Sequence, residues 1–342
     1  MSNITTVGLD ISKRTFHQVQ LDEANEVVMR KKLRRSQLEA NIKKLPCCVL
    51  AMEACGSAHF WARKFEAMGH TVKLLPPQHV KGYLRGQKND FNDALAIAEA
   101  SIHAAIRPVA IKSIEQQDEQ AQHRMRSLLI GDRVALSNHI RSFLYERGII
   151  LNLGIAVIKN KVPDLLEDAE NDLTDTSRAL LARLYQQFER LTEDIQWFTK
   201  RIEEHAMADE VATRLMAMPG IGVIVSSALK GWMGDGQQFK KGRHASAALG
   251  IIPRQNTTGG KEKLLGITKK GDPYVRALVV HGARSVVARS ADKTDPLSQW
   301  INQIKERRGY NKAVVALANK LVRIAWVIIA KGEHYQPKTA AI

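Results

Sequence analysis

Three short segments of strand character precede any helix in this chain, and a regular alternation of helix and strand follows them. Few folds accept that order. Ile4 to Leu9, Thr15 to Leu21 and Glu26 to Lys32 read as strands, with Asp22-Glu23-Ala24-Asn25 as a turn between the second and third. Ser36 to Leu45 predicts a helix and Cys47 to Met52 a buried strand ending at Glu53. His59 to Met68 predicts a helix closed by Gly69, and Thr71 to Leu75 a strand stopped by Pro76-Pro77. Asp93 to Ser101, rich in Ala, Leu and Glu, reads as the next helix, with Asn89 or Asp90 placed to satisfy its free N–H groups. A strand meander followed by alternating elements predicts an α/β domain, a mixed sheet with helices on its faces.

That order gives four acids a common destination. Asp10 leaves the first strand and Glu53 the fourth, and the carboxyl ends of strands in open α/β sheets are where ligand sites gather. Asp90 and Asp93 lie three apart on one helical face, beside the basic residues Lys81, Arg85 and Lys88. Taken alone, the last pair is a capping acid and a solvated Asp, and the four together are open to reading as unrelated surface acids. Grouped, they repel one another unless a cation sits between them, and hard oxygen ligands suit Mg²⁺ or Mn²⁺. Paired ions of that kind activate a nucleophile and stabilise a leaving oxygen on a phosphodiester.

From about Ser113 the character changes. Ile114 to Arg147 is long and polar with an apolar stripe, interrupted by Gly131-Asp132, and a linker with Pro163 and several acids follows. Leu184, Phe188, Leu191, Ile195, Phe198 and Ile202 then recur in a heptad seam, which suits either an intramolecular helical hairpin or pairing of subunits. Met218-Pro219-Gly220-Ile221-Gly222 separates two helical segments and resembles the turn of helix-hairpin-helix modules, where backbone N–H groups approach a phosphate; a plain tight turn is the alternative. Phe239 to Leu249 reads as a short helix. Gly250 to Lys261 reads as a loop with Thr257 and Thr258 before Gly259-Gly260, flanked by Arg254 and Lys261, and Lys269-Lys270-Gly271-Asp272 precedes a helix from Pro273 to Arg289. The threonine hydroxyls there could attack phosphorus or merely hydrogen-bond phosphates. Trp300 to Arg308 and Lys312 to Ala330 are amphipathic and predict a C-terminal core.

Charge narrows the partner. The formal net charge over 342 residues is +16, and Lys240 to Arg276 holds nine Lys or Arg against Glu262 and Asp272, so a polyanion, most simply nucleic acid, is expected. Cys47, Cys48 and Cys55 lack CxxC spacing, which argues against a disulfide framework and a zinc finger. With a start that lacks a basic, apolar leader and no run expected to span a membrane, the expectation is a cytoplasmic, unexported protein with no membrane partner.

Five blocks together resemble the DEDD transposases of bacterial insertion sequences, a family that includes Piv-type invertases and recombinases guided by bridge or seek RNA. They are Val7-Gly8-Leu9-Asp10-Ile11-Ser12-Lys13, Met52-Glu53-Ala54-Cys55-Gly56, Lys88-Asn89-Asp90-Phe91-Asn92-Asp93-Ala94, Met218-Pro219-Gly220-Ile221-Gly222, and Gly250 to Gly260 with Lys269 to Asp272, in the family's order. The resemblance implies a RuvC-like, ribonuclease-H-fold domain over 1–110 with Asp10, Glu53, Asp90 and Asp93 as the metal-binding catalytic quartet. It implies a helical coiled-coil middle over 111–208 and a mostly α C-terminal transposase domain over 209–342. It further implies a serine nucleophile that joins covalently to DNA with Mg²⁺ present; here Thr258 stands at that position, with Thr257 or an impaired variant as alternatives. Lys88, Gly220, Gly222, Arg254, Thr257, Lys261, Lys269 and Lys270 are the expected nucleic-acid contacts. Donor and target DNA, a noncoding guide RNA from the same element and a homodimer or homotetramer are the expected partners. A hydrolytic RuvC-like nuclease and a non-catalytic helix-hairpin-helix binder are the competing functions.

Overall fold

The structure is a computed structural model that describes residues 4–87 and 89–337. Lys88, one of the expected nucleic-acid contacts, lies outside the described residues. Internal contacts divide the chain into two units, Met1–Ile114 and Glu115–Ile342.

The first unit is built on a five-stranded mixed sheet of order β3-β2-β1-β4-β5, comprising β1 (Thr6–Ile11), β2 (Thr15–Leu21), β3 (Val27–Arg34), β4 (Val49–Glu53) and β5 (Thr71–Leu75). The meander β1-β2-β3 is antiparallel, whereas β4 and β5 run parallel to β1. Helices α1 (Arg35–Ile42), α2 (Ala58–Glu66), the single turn α3 (Pro77–Val80) and α4 (Asp90–Ile102) complete it. Strand side chains alternate between faces, and the apolar clusters follow that parity. Val7, Leu9, Phe16, Leu50, Met52 and Leu74 pack with Trp61 and Phe65 of α2. Val19, Leu21, Ala51 and Leu75 face the other way, under α4.

Gly8 sets how close α4 comes to that second face. A Cβ at Gly8 would run into the Ala94 carbonyl oxygen and stand 2.8 Å from the Ala98 Cβ, so only glycine allows the helix backbone onto β1. The small residues Ala94, Ala98 and Gly8 therefore bring the first turn of α4 over the carboxyl end of β1.

The second unit is mostly helical: α5 (Ile114–Tyr145), α6 (Ile155–Glu167), α7 (Asp175–Ala208), α8 (Glu210–Met216), α9 (Val223–Met233), α10 (Gly242–Ala248), α11 (Pro273–Ala288), α12 (Pro296–Arg308) and α13 (Tyr310–Lys331), with one hairpin, β6 (Pro253–Thr258) and β7 (Lys261–Ile267). Arg126 donates to Thr199 at 2.7 Å, Arg133 to Thr192 at 3.5 Å and Arg147 to Ser177 at 2.8 Å, so α5 and α7 run antiparallel. Gly131-Asp132 does not break α5. Leu181, Phe188, Ile195 and Ile202, seven apart, are buried along α7.

Three expectations change. The Pro163 segment is the helix α6 rather than a linker, with Pro163 inside it. Proline removes the N–H that would bond Lys159 O, and the Tyr185 hydroxyl of α7 donates to that carbonyl instead at 3.1 Å. The loop from Gly250 to Lys261 is largely strand. A Gly259-Gly260 turn with φ of +57° and +76° joins β6 to β7, a conformation that closes a two-residue hairpin. Finally, α13 is long and apolar enough to cross a membrane by length and composition. Val314, Leu317, Leu321, Val322 and Ile328 bury it in the main core of this unit.

Candidate active site

The parity that divides the core also assembles the acids. Residues 8 and 10 of β1, 17 and 19 of β2, and 51 and 53 of β4 point to the face under α4, so Asp10 and Glu53 emerge there at the strand ends. Asn89 caps α4 by accepting from Phe91 N at 2.9 Å, which leaves Asp90 and Asp93 free of capping duty in the first turn. Asn92 donates to Gln87 O at 3.0 Å and fixes the entry of the chain into that turn.

The four carboxylates meet electrostatically. Asp10 is half-buried; its burial, then Asp93, Asp90 and Glu53, push its pKa from 3.8 up to about 6. Burial and then Asp93 also raise Glu53, against a lowering pull from Lys81. Two residues further on, burial, Glu53 and Asp10 raise the Cys55 thiol, which argues against a thiolate nucleophile at that spot. Among the described residues, Lys81 pulls against this rise at Glu53, while the carboxylates raise one another.

His17 belongs to this site and was not among the expected residues. It is the register partner of Asp10 across β1 and β2, and only 7% of it is exposed. Its Nδ1 lies 3.4 Å from Asp90 Oδ2, and its ring stands edge-on to Phe91 with centroids 4.9 Å apart. One donor atom each from Asp10, His17 and Asp90 falls within 4.8 Å of the others. The all-oxygen set Asp10, Glu53, Asp90 and Asp93 has the chemistry of a hard divalent ion site, and the repulsion among its members is what such an ion would offset. His17, a softer donor, lies against Asp90 at the edge of this set.

The second group of expected residues lies in the other unit. Arg254, Thr257, Thr258 and Lys261 are all exposed on the β6-β7 hairpin. Thr257 pairs with Glu262 and accepts from Gln255 Nε2 at 3.0 Å. Thr258 pairs with Lys261, and the alternation of the pleat sets it on the face of Asn256 and Lys263. The hairpin base is tied to the lysine turn: Lys269 N donates to Gly250 O at 3.1 Å and Thr268 N to Ile252 O at 2.8 Å, leaving Lys269 and Lys270 exposed. Asp272 caps α11 through Tyr274 N and Val275 N at 2.9 and 3.1 Å.

Gly220 and Gly222 differ in surroundings. A Cβ at Gly220 would sit 2.5 Å from Gly282 O of α11, so that glycine serves a backbone-to-backbone contact, whereas Gly222 at the start of α9 is exposed with open space around it.

Comparison with known proteins places these two regions in one family. A DEDD transposase family model of the IS110 type matches residues 7–147, and the model described as "Transposase IS116/IS110/IS902 family" matches residues 212–298. A probable family 20 transposase of Pseudomonas aeruginosa is 41% identical over 98% of this chain and 99% of its own length. The chain belongs to the IS116/IS110/IS902 transposase family. It is also 39% identical to the transposase for insertion sequence element IS1328 of Yersinia enterocolitica, over 97% of the chain and 98% of that relative. Identity to the transposase for insertion sequence element IS1111A of Coxiella burnetii is 38%, over 98% and 92%. The DEDD match carries a RuvC-like fold, consistent with the mixed sheet, and membership makes the chain a DNA-processing enzyme of the transposase class.

Proposed function

We propose that this transposase cuts and rejoins strands of donor and target DNA to move an insertion element, with Thr258 as nucleophile and Asp10, Glu53, Asp90 and Asp93 holding Mg²⁺ or Mn²⁺. The observation that carries the reading is the convergence of four carboxylates, where burial and then mutual repulsion raise Asp10 to about 6. A divalent ion bound there supplies charge neutralisation at phosphorus.

The chain's own groups do the rest. The Thr258 hydroxyl attacks a DNA phosphate; as the Oγ1–P bond forms, the bond from phosphorus to one deoxyribose oxygen breaks, the hydroxyl gives up its proton and the leaving oxygen gains one. Rejoining reverses the exchange. Thr258 is favoured over Thr257 because its strand face carries Lys261 and Lys263, while Thr257 stands opposite the carboxylate of Glu262. The β-branch of threonine stiffens χ1 and crowds the approach, which slows the attack without removing the nucleophile. Arg254, Lys261, Lys269 and Lys270 supply cations for backbone phosphates, and the exposed N-terminus of α9 at Gly222 offers N–H groups for the same purpose. A noncoding RNA of the same element guides target choice; this rests on the family resemblance alone. A homodimer or homotetramer brings two duplexes together. The coiled-coil domain over 111–208 and the helix-hairpin-helix role of the 218–222 turn belong to the same proposal.

The test is strand cleavage by the purified chain with its copurifying RNA. Divalent-dependent cleavage lost in Asp10→Asn and Glu53→Gln, with DNA binding kept, supports the reading. Cleavage that survives both substitutions, or a random pool of copurified RNA, contradicts the metal and the guide components respectively.

A further inference from the structure

The sheet of the first unit carries a concave feature at one end, beside α2. It is an open cavity of about 780 Å³ at the end of the sheet where β1 turns into β2. The turn supplies Lys13 and Arg14, the end of β3 supplies Arg34, and the start of α1 supplies Arg35. These segments are fastened together: Thr15 and Arg34 are register partners, and Arg35 N donates to Arg14 O at 2.9 Å. Helix α2 adds an aromatic wall. Trp61, 3% exposed, is fixed edge-on to Phe16 and stacked on Phe65. Phe60 stands edge-on to Trp61 and remains 41% exposed.

The charge of this pocket is largely unspent. Lys64 is paired with Glu39 at 2.8 Å and lies over the Phe60 ring, and Arg35 lies 5.0 Å above the Trp61 ring. Among the described residues, no carboxylate comes within ion-pair distance of Lys13, Arg14, Arg34 or Arg35. Four cations and an exposed aromatic ring lining one cavity call for a ligand that is both anionic and flat. An acidic peptide would answer the charge but not the ring. Bases within a duplex have both faces covered by their neighbours, so only an unpaired base can offer a face to Phe60, with its flanking phosphates among the cations.

We propose that this pocket binds an unpaired nucleotide of a single strand, its base against Phe60 and its phosphates among Lys13, Arg14, Arg34 and Arg35. Lys13 is three residues beyond Asp10, hence within roughly 10 Å of it along the chain, so a strand released near the carboxylates has a docking point around the end of the same sheet. That last role rests on the DNA-processing reading of the acids; the binding itself does not.

The test is binding of short labelled oligo-dT, oligo-U and a DNA duplex of equal length to the full-length chain. Phe60→Ala is expected to weaken binding of a single strand by roughly tenfold while duplex affinity changes less than about twofold, and Phe60→Trp restores the single-strand affinity. Arg14→Glu, at an exposed position on the turn, weakens the same ligand and flattens its salt dependence, and serves where Phe60→Ala melts early. An effect on the dT arm assigns the pocket to DNA, one on the U arm to RNA, and either supports it. Single-strand binding unchanged in both Phe60→Ala and Arg14→Glu, or equal losses for single strand and duplex, overturns it. Asp10→Asn separates the two proposals, because it removes the cleavage chemistry and leaves this pocket intact.

Discussion

Asp10 sits half-buried with three other carboxylates around it, and its pKa is raised from 3.8 to about 6. The folded, metal-free chain therefore holds that proton more tightly than the unfolded chain, and this group lowers stability progressively as pH rises from about 4 through 6. At pH 7.5 with chelator present, Asp10→Asn is expected to stabilise the fold by on the order of 1–2 kcal/mol once solvent screening is allowed for, with the gain vanishing near pH 4. Thermal melts of the two proteins across that range check it. Added Mg²⁺ raises the melting temperature of the parent and leaves that of the variant nearly unmoved. The same substitution reduces strand cleavage by on the order of 100-fold, in line with removal of one electrostatic contact in a transition state. His17→Ala, which removes the neighbour of Asp90 but no carboxylate, is expected to weaken divalent-ion binding, seen as a shift of cleavage to higher Mg²⁺ concentration rather than as a loss of activity. A titration of cleavage rate against Mg²⁺ reads it. The acids were visible in the sequence because strand ends and helical spacing point at one place. His17 was not, because its role depends on the β1-β2 register, and a slip of one residue would turn its ring to the other face.

At the scale of elements, two glycines carry packing that no periodicity reveals. Gly8→Ala places a methyl group against the Ala94 carbonyl and the Ala98 side chain, so α4 must lift from β1. The expected cost is roughly 1–3 kcal/mol in denaturant unfolding, together with loss of cleavage, as Asp90 and Asp93 move with the helix. Gly282→Ala strikes Gly220 O in the same way and is expected to destabilise the second unit by a similar amount while leaving the acids in place. Most elements were legible: β2 and β5 fall where alternation and the Pro76-Pro77 stop put them, and the other strands shift by a few residues. Two were not. The Pro163 helix reads as a linker because the compensating hydroxyl of Tyr185 is distant in sequence, and β6-β7 reads as a loop because its residues, Leu264 and Leu265 included, are exposed on both faces and β6 is polar. A strand that buries neither face has no hydrophobic alternation to show.

At the scale of the whole molecule, the family explains why an acidic site and a basic hairpin coexist in one chain. A protein with a surplus of +16 and exposed cations on the hairpin is expected to lose nucleic-acid affinity steeply with salt, for duplex and single strand alike. Salt dependence therefore reports charge and not chemistry. The central claim is that a hydroxyl of the hairpin becomes covalently joined to DNA, and it is tested most directly by trapping a denaturation-resistant protein–DNA adduct and mapping the modified residue by mass spectrometry. The account predicts an adduct at Thr258 that requires Mg²⁺ or Mn²⁺, persists in Thr257→Ala and disappears in Thr258→Ala. Cleaved DNA with free ends and no adduct, or an adduct that survives the Thr257→Ala, Thr258→Ala double variant, would contradict it.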